Sequence, residues 1–508
     1  MKQILIAAPK SGSGKTIFTC GLLNLLKQQG PTASYKCGPD FIDPMFHRTV
    51  IGVDSENLDP FFSDAEEVRG ILTASDAEYA VLEGVMGIYD GISGQGKRGS
   101  CYEIARMTDA PILLVVDAKG MGYTLLSLIK GILTDDEDGL IRGLVLNRIS
   151  ENYYAQLAPQ IATMLAEMAV MRGKAGSGRA EPVRLLGFIP NEKRIRLESR
   201  HLGLKMPGEI ADLKRQVDLF SALLAEHCDV TGILELMTEP AALPELPEGN
   251  ARNEDGQISR NKSESVRILA KKRADAPENP EISPDVKEEG RPEWPVGTGE
   301  RPLTLAVARD EAFCFYYAEN LRAFTRRGVQ IREFSPLRDE KLPEGTDGLL
   351  LGGGYPELYA AELSGNLKMR EAIRSALAAG LPSLAECGGF MYLLEEMETE
   401  TGVFPMLGVL PGRAANTGKL SRFGYITVQA ERDGLLPAGA VIKGHEFHYF
   451  DTTNNGRDAR AEKASGAASW PCLHLGDDHA WGYPHLWYDS QPELVERMIA
   501  AMRRHRGI

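Results

Sequence analysis

The sequence predicts an α/β fold with two parallel-sheet domains in series, and three observations carry that expectation. Short aliphatic runs alternate with helical stretches, a composition break separates two such regions, and a glycine-rich loop joins the first strand to the first helix. Runs at 4–8, 80–82, 112–116 and 144–146 are compact and mostly aliphatic, the pattern of strands buried on both faces of a parallel sheet. Helical periodicity fills the gaps, as at 18–28 and 123–133, so the first region reads as an open sheet covered on both sides. From about 240 to 300, Pro244, Pro247, Pro277, Pro280, Pro284, Pro292 and Pro295 punctuate a stretch of mixed charge, asparagine and serine. Such a segment cannot bury enough apolar surface to offset its ordering entropy, and it reads as a linker. After Arg301 the alternation resumes, with strands expected at 303–307, 348–351 and 381–385 and helices at 315–326 and 370–379. The expected division is therefore 1–240, a linker at 241–300, and 301–508.

Composition narrows the function classes. The 508 residues, 43% hydrophobic and 25% charged, are those of a globular chain rather than a fibrous or disordered one. A formal net charge of −14 argues against nucleic acid or an acidic membrane as partner, since counterion-release binding needs a basic face. Seven cysteines without a CxxC pair suit a reduced, cytoplasmic setting. The amino terminus carries too short an apolar run for a signal peptide.

Pro9-Lys10-Ser11-Gly12-Ser13-Gly14-Lys15-Thr16 lies where a strand ends and a helix begins. Phosphate binding needs that placement, because backbone N–H groups and a helix N-terminus converge on the anion. The expected nucleotide-binding set is Lys10, Gly12, Ser13, Gly14, Lys15, Thr16 and Ile17, with Lys15 on the β/γ-phosphates and the Thr16 hydroxyl on Mg²⁺. Pro9 stands where the standard pattern has glycine. Lys10, five residues before Lys15, resembles the variant loop of the dethiobiotin synthetase and MinD/ParA group, some members of which use such a lysine to complete a neighbouring subunit's site.

Two acidic stretches accompany the loop. Lys36-Cys37-Gly38-Pro39-Asp40-Phe41-Ile42-Asp43-Pro44 reads as a Gly/Pro-rich loop, and Glu83-Gly84-Val85-Met86-Gly87-Ile88-Tyr89-Asp90-Gly91 follows a buried strand at its carboxyl end. Ligands of open α/β sheets sit at the carboxyl ends of strands. Carboxylates there, Asp40 and Glu83 foremost, are candidates for holding Mg²⁺ with Thr16. Taken alone, Asp40 and Asp43 suit turn formation better than metal binding, and spacing leaves open which carboxylate faces metal and which faces substrate.

In the second region, Leu381-Pro382-Ser383-Leu384-Ala385-Glu386-Cys387-Gly388-Gly389 reads as strand, abrupt turn and helix. That is the logic of a nucleophile elbow: the turn exposes Cys387 and the new helix N-terminus is expected to favour its thiolate. Gly352-Gly353-Gly354-Tyr355-Pro356-Glu357 follows another strand, and Gly353 and Gly354 are expected to form an oxyanion loop. Two histidines could serve the thiol as base: His485 in Tyr483-Pro484-His485, and His448 in Gly444-His445-Glu446-Phe447-His448-Tyr449.

These stretches, together with 191–204, 306–317 (ARDEAFCFYY within it), 334–339, 351–357, 386–392 and 444–449, resemble the cobyrinic acid a,c-diamide synthase family, in family order and over nearly the whole chain outside the linker. The resemblance implies an amino-terminal, dethiobiotin-synthetase-like P-loop domain that forms amides at the expense of ATP, and a carboxy-terminal class I glutamine amidotransferase domain. It implies Cys387 as nucleophile and, through the Tyr-x-His motif, His485 as base. Residues matching Asp40, Asp43, Glu83 and Asp90 would bear on substrate binding and acyl-phosphate chemistry. The implied reaction amidates the a and c acetates of cobyrinate with Mg²⁺ as cofactor and ATP and glutamine as cosubstrates. Docked domains would pass ammonia along a protected path, in a monomer or homodimer, with Lys36, Arg194, Arg196 and Arg200 as candidate cations for the polycarboxylate. The same chemistry on hydrogenobyrinate or nickel-sirohydrochlorin is one alternative; a ParA-like nucleotide switch with a vestigial second domain is another. Trp487 stands where the familiar triad has glutamate, two residues beyond the histidine, so the group orienting His485 is left open.

Overall fold

In the computed structural model the described residues are 1–94, 96–175, 182–195, 199–200, 203–204, 213–240 and 301–508. The expected linker at 241–300 lies outside them, as does Arg196. The chain divides into two compact units, Met1–Lys271 and Lys272–Ile508. Among the described residues no helix is long and apolar enough to cross a membrane.

The first unit is built on strands β1 (Lys2–Ala7), β2 (Thr32–Cys37), β3 (Ser55–Leu58), β4 (Tyr79–Glu83), β5 (Ile112–Asp117), β6 (Ile141–Asn147) and β7 (Arg184–Ile189). They form one sheet in the order β3-β2-β4-β1-β5-β6-β7, with every pairing parallel. Ile4, Leu5, Ile6 and Ala7 are fully buried, as a central strand covered on both faces requires. Helix α1 (Lys15–Leu26) leaves β1 through the glycine-rich loop, at the carboxyl edge of the sheet. A two-residue pairing of β8 (Ser199–Arg200) with β9 (Gly203–Leu204) completes the described strands of this unit.

Two expectations are corrected here. Lys36 and Cys37 belong to β2 rather than to a loop, and residues Ile42–Phe46 form a short helix that carries Asp43 in its first turn. The reason is register: Lys36 pairs with Glu83 on the neighbouring parallel strand, and a buried cation is tolerable only with such a partner.

The second unit centres on β10 (Thr304–Ala308), β11 (Gln330–Phe334), β12 (Gly348–Leu351) and β13 (Ser383–Glu386), in the order β11-β10-β12-β13 and continued by the strands His479–Gly482 and His474–Leu475. All pairings are parallel except the last. Leu305 and Val307 pack into one core while Ala306 and Ala308 pack into another, the period-two signature of a strand buried on both faces. Beyond the expected α/β elements lie two further sheets, one mixed and one antiparallel throughout. One of them, ordered Ser469–Cys472, Ala459–Lys463, Arg422–Ala430, Val441–His448 and His485–Leu486, sets His445 directly opposite His485.

Candidate active sites

In the first unit the phosphate-loop geometry follows from Gly14, which caps α1 with φ 93°. A Cβ there would sit 2.3 Å from the Asn147 amide nitrogen, so only glycine fits. Asn147 donates to the Ser13 carbonyl (2.8 Å) and Arg148 to the Gly12 carbonyl (2.7 Å), which ties the loop to the end of β6. Neither residue stands out in the sequence; their signal is only their place just after a buried strand. The Ser13 hydroxyl donates to the Lys10 carbonyl, and the Lys10 side chain is exposed. Ile17 turns its side chain into the core, so only its backbone can serve a nucleotide.

The Lys15 ammonium donates to the carbonyls of Met86 (2.5 Å) and Lys10 (3.3 Å). Burial, then the charge of Lys36, holds its pKa below the usual lysine value. The Thr16 hydroxyl donates to Glu83 Oε1 at 2.6 Å. Lys36 Nζ lies 2.5 Å from Asp43 Oδ2, 3.1 Å from Glu83 Oε1 and 4.0 Å from Asp40 Oδ2. His47 Nε2 is 3.1 Å from Glu83 Oε2, and its Nδ1 meets the Ser34 hydroxyl at 2.8 Å. Burial alone would lower Lys36, but Asp43 and Glu83 outweigh it and raise the ammonium well above its ordinary value. Burial would raise Glu83, yet Lys36, His47 and Thr16 keep it below the usual carboxylate range. Asp43 goes the other way, pushed up by burial and by the Glu83 charge.

The loop residues Lys15 and Thr16 thus converge with Asp43 and Glu83, with Asp40 at the edge. Asp90 does not join them: its carboxylate folds back to accept from Gly87 N at 2.8 Å. Lys36 is corrected as a substrate cation, because it is buried against Asp43 and Glu83. Arg194 is exposed and pairs with Glu192 at 2.6 Å. Lys36 as an internal hub, and His47 beneath Glu83, were not evident as such from the sequence. As a magnesium site, the hydroxyl of Thr16 and the carboxylates of Glu83 and Asp40 fit in chemistry, being all oxygen donors. Among the described residues no trio of His, Cys, Asp or Glu is grouped to hold a metal alone. That suits an ion which takes one or two carboxylates and draws its other ligands from phosphates and water.

In the second unit Cys387 ends β13 and caps the helix Gly388–Leu393 with φ 48°, ψ −105°. That left-handed strain in a non-glycine residue is the elbow expected at a nucleophile. The turn is pinned by Cys387 N donating to the Gly482 carbonyl (2.9 Å) and Gly389 N to the Gly352 carbonyl (2.9 Å). Gly354 N lies 3.1 Å from where a Cβ on Gly388 would stand, so this amide borders the elbow. A Cβ on Gly353 would sit 2.3 Å from His485 Cε1; the imidazole is seated on that glycine.

Residues of the 306–317 stretch hold this arrangement. The Tyr316 hydroxyl donates to the Ala308 carbonyl and accepts from Gly352 N, locking the triple-glycine loop to β10. The Tyr317 hydroxyl meets His445 Nδ1 at 2.9 Å, and the His445 ring stacks on His485 with centroids 4.9 Å apart. His448 faces Glu446 Oε2 through Nε2 (3.0 Å) and the Phe450 carbonyl through Nδ1 (2.6 Å), and its ring stacks on Tyr483. Both its nitrogens therefore face oxygen acceptors, which leaves His485 the better placed base. Burial, then His445 and His448, hold the His485 pKa well below the ordinary imidazole value.

The expectation of a resting thiolate is corrected. Burial and the carboxylates of Glu357 and Glu446 push the Cys387 thiol up, and the helix behind it is only six residues long. Burial thus acts on both groups against their charged forms, the thiolate and the imidazolium. Glu386, next to Cys387, is a buried carboxyl raised to about 8 by burial, although Tyr488 and Leu486 N donate to it.

A phosphate-loop unit lined by carboxylates, followed by a unit with a cysteine elbow and a histidine, defines a two-part class of nucleotide-using amidotransferases. Residues 4–204 match the family model of the CobQ/CobB/MinD/ParA nucleotide binding domain, and residues 304–483 that of the CobB/CobQ-like glutamine amidotransferase domain. A cobyrinate a,c-diamide synthase of Caldanaerobacter subterraneus is 34% identical over 95% of this chain and 92% of its own. Enzymes of that name from Listeria monocytogenes and Clostridium acetobutylicum are 32% and 34% identical, over 99% and 98% of this chain and the whole of theirs. The chain belongs to the cobyrinate a,c-diamide synthase family, and it is an amidating ligase rather than a nucleotide switch.

Proposed function

We propose that the protein amidates the a and c acetate carboxylates of cobyrinate in cobalamin biosynthesis, taking ammonia from glutamine at Cys387 and activating each acid with ATP. The observation that carries this reading is the coexistence of two sites in one chain: Lys15 and Thr16 beside Glu83, and Cys387 on its elbow with His485 seated on Gly353. The names of the full-length relatives support cobyrinate as the acid.

A carboxylate resists attack because its charge repels nucleophiles and its leaving group would be oxide. Transfer of the ATP γ-phosphoryl group makes an acyl phosphate, which ammonia attacks with release of phosphate. Lys15, and Lys10 from the exposed side of the loop, would balance charge on the transferring group. Thr16, Glu83 and Asp40 would hold Mg²⁺, which when bound supplies further positive charge at the phosphates. In the second unit His485 takes the Cys387 proton as sulfur attacks the glutamine side-chain amide, then returns it to the departing nitrogen. The backbone N–H of Gly354 is the candidate donor to the oxyanion, Gly353 keeping space for the imidazole. Water then hydrolyses the thioester.

The test is incorporation. Glutamine labelled with heavy nitrogen in its side-chain amide, ATP and a panel of tetrapyrrole acids should yield a macrocycle carrying two labelled amides by nitrogen NMR, cobyrinate reacting best. Lys15→Ala should lower amidation by ~10²–10³-fold with glutamine or ammonia alike. ATP cleavage without label in any macrocycle would defeat the proposal, and preference for hydrogenobyrinate or nickel-sirohydrochlorin would reassign its substrate.

A milder variant probes the seat of the imidazole. Gly353→Ala must displace His485, and misplacement by about 1 Å costs on the order of 10²-fold. Glutamine-dependent turnover should fall by that factor while ammonia-dependent amidation persists; equal loss in both assays would refute the local role.

A further inference from the structure

The group that orients His485 is not at the customary place. Trp487, two residues beyond, is buried and packs edge-on against Tyr317 at 5.1 Å between centroids, so it offers no acceptor there. His445 covers the ring face of His485 and lies outside its plane. A carboxyl does approach from another direction: Glu386 Oε2 lies 3.8 Å from His485 Nδ1.

Glu386 is held for that purpose by its second oxygen. Oε1 accepts from the Tyr488 hydroxyl at 2.9 Å and from Leu486 N at 3.4 Å. The segment that supplies both donors is itself fixed by Asn320, whose amide donates to the Leu486 carbonyl (2.7 Å) and accepts from Tyr488 N (3.0 Å). Glu386 also pairs in register with Gly482, so no side chain on that neighbour intervenes. One carboxyl oxygen is therefore anchored and the other is presented to the imidazole. Burying a carboxyl is costly, and a position fully served by apolar packing would not call for one. At 3.8 Å the two groups are near neighbours just beyond hydrogen-bond length, and catalytic contacts of this kind tighten once substrate is bound.

We infer that Glu386 is the positioning residue of the glutamine site, holding Nδ1 of His485 so that Nε2 faces the Cys387 thiol and stabilising the imidazolium that forms when the thiol proton moves. The acid absent beyond the histidine is supplied from the residue immediately before the nucleophile, at the end of β13. This inference rests on the Cys387–His485 reading above.

The experiment uses the full chain and compares wild type, Cys387→Ala, Glu386→Gln and Tyr488→Phe, each with glutamine and with high ammonia. Glu386→Gln keeps the shape and removes the group's capacity to take up negative charge when the imidazolium forms. Its glutamine-dependent kcat should fall by ~10²-fold or more with KM for glutamine within about twofold, as when an orienting acid is replaced by its amide, while ammonia-dependent amidation stays at the wild-type rate. Tyr488→Phe frees the anchored oxygen and should lower the same kcat by about tenfold, adding little to Glu386→Gln in the double variant. An unchanged kcat in Glu386→Gln, or an equal fall with ammonia, overturns the inference. Should Glu386→Gln not fold, Tyr488→Phe decides by the same criteria. Persistence of glutamine use in Cys387→Ala would instead overturn the underlying site, so the two failures are distinct.

Discussion

Cys387→Ala is expected to abolish glutamine-dependent amidation, by more than about 10⁴-fold, and to leave amidation at high ammonia close to wild type. The geometry gives the reason. Cys387 is the only described cysteine held on a left-handed backbone, and it stands there as the cap of a helix. Cys314 lies on the loop whose N–H donates to the Gly353 carbonyl, but its backbone is unstrained and it caps no helix. Alanine retains the fold because the elbow is held by backbone bonds, Cys387 N to the Gly482 carbonyl and Met391 N to the Cys387 carbonyl. Steady-state assays with each nitrogen source, run side by side, measure the split. If the variant still consumed glutamine at the wild-type rate, the nucleophile would have to lie elsewhere.

The parallel sheets were legible because strands buried on both faces write uninterrupted aliphatic runs, as at Ile4–Ala7 and Ile112–Val116. The antiparallel sheet was not, because a strand such as Arg422–Ala430 alternates: it reads RFGYITVQA, with Ile426, Val428 and Ala430 buried and the residues between them less so. A period-two reading of that stretch would have found it. The phosphate loop and the cysteine elbow announce themselves locally, since a glycine or strained turn at a strand end is a matter of adjacent residues. His445 opposite His485 and Glu386 beside it are contacts made by register between segments far apart in sequence, and no local pattern encodes them. Lys36 was misplaced for a related reason. A lysine looks like a surface residue until the carboxylates that neutralise it arrive from another helix and another strand.

That lysine carries the second large effect. Lys36→Met is expected to destabilise the chain by ~3–5 kcal/mol, the cost of stranding buried charge by removing its partner. Asp43 and Glu83 would remain buried with their shared counter-ion gone, while His47 and the Thr16 hydroxyl would still face Glu83. Burial would then act on Glu83 without its largest opposing charge and push its pKa up, with His47 and Thr16 left to oppose it. One unfolding transition should drop by roughly 6–20 °C, taking about 2–4 °C per kcal/mol for a unit of this size. Amidation should be lost with glutamine and with ammonia alike, opposite to the pattern of Cys387→Ala, because the damage falls on the nucleotide-side cluster. Adding Asp43→Leu removes one of the stranded carboxyls and should recover part of the thermal shift without restoring amidation. Differential scanning calorimetry of the three chains separates the contributions. A Lys36→Met transition within about 2 °C of wild type would mean that the ammonium is not what balances these two carboxylates.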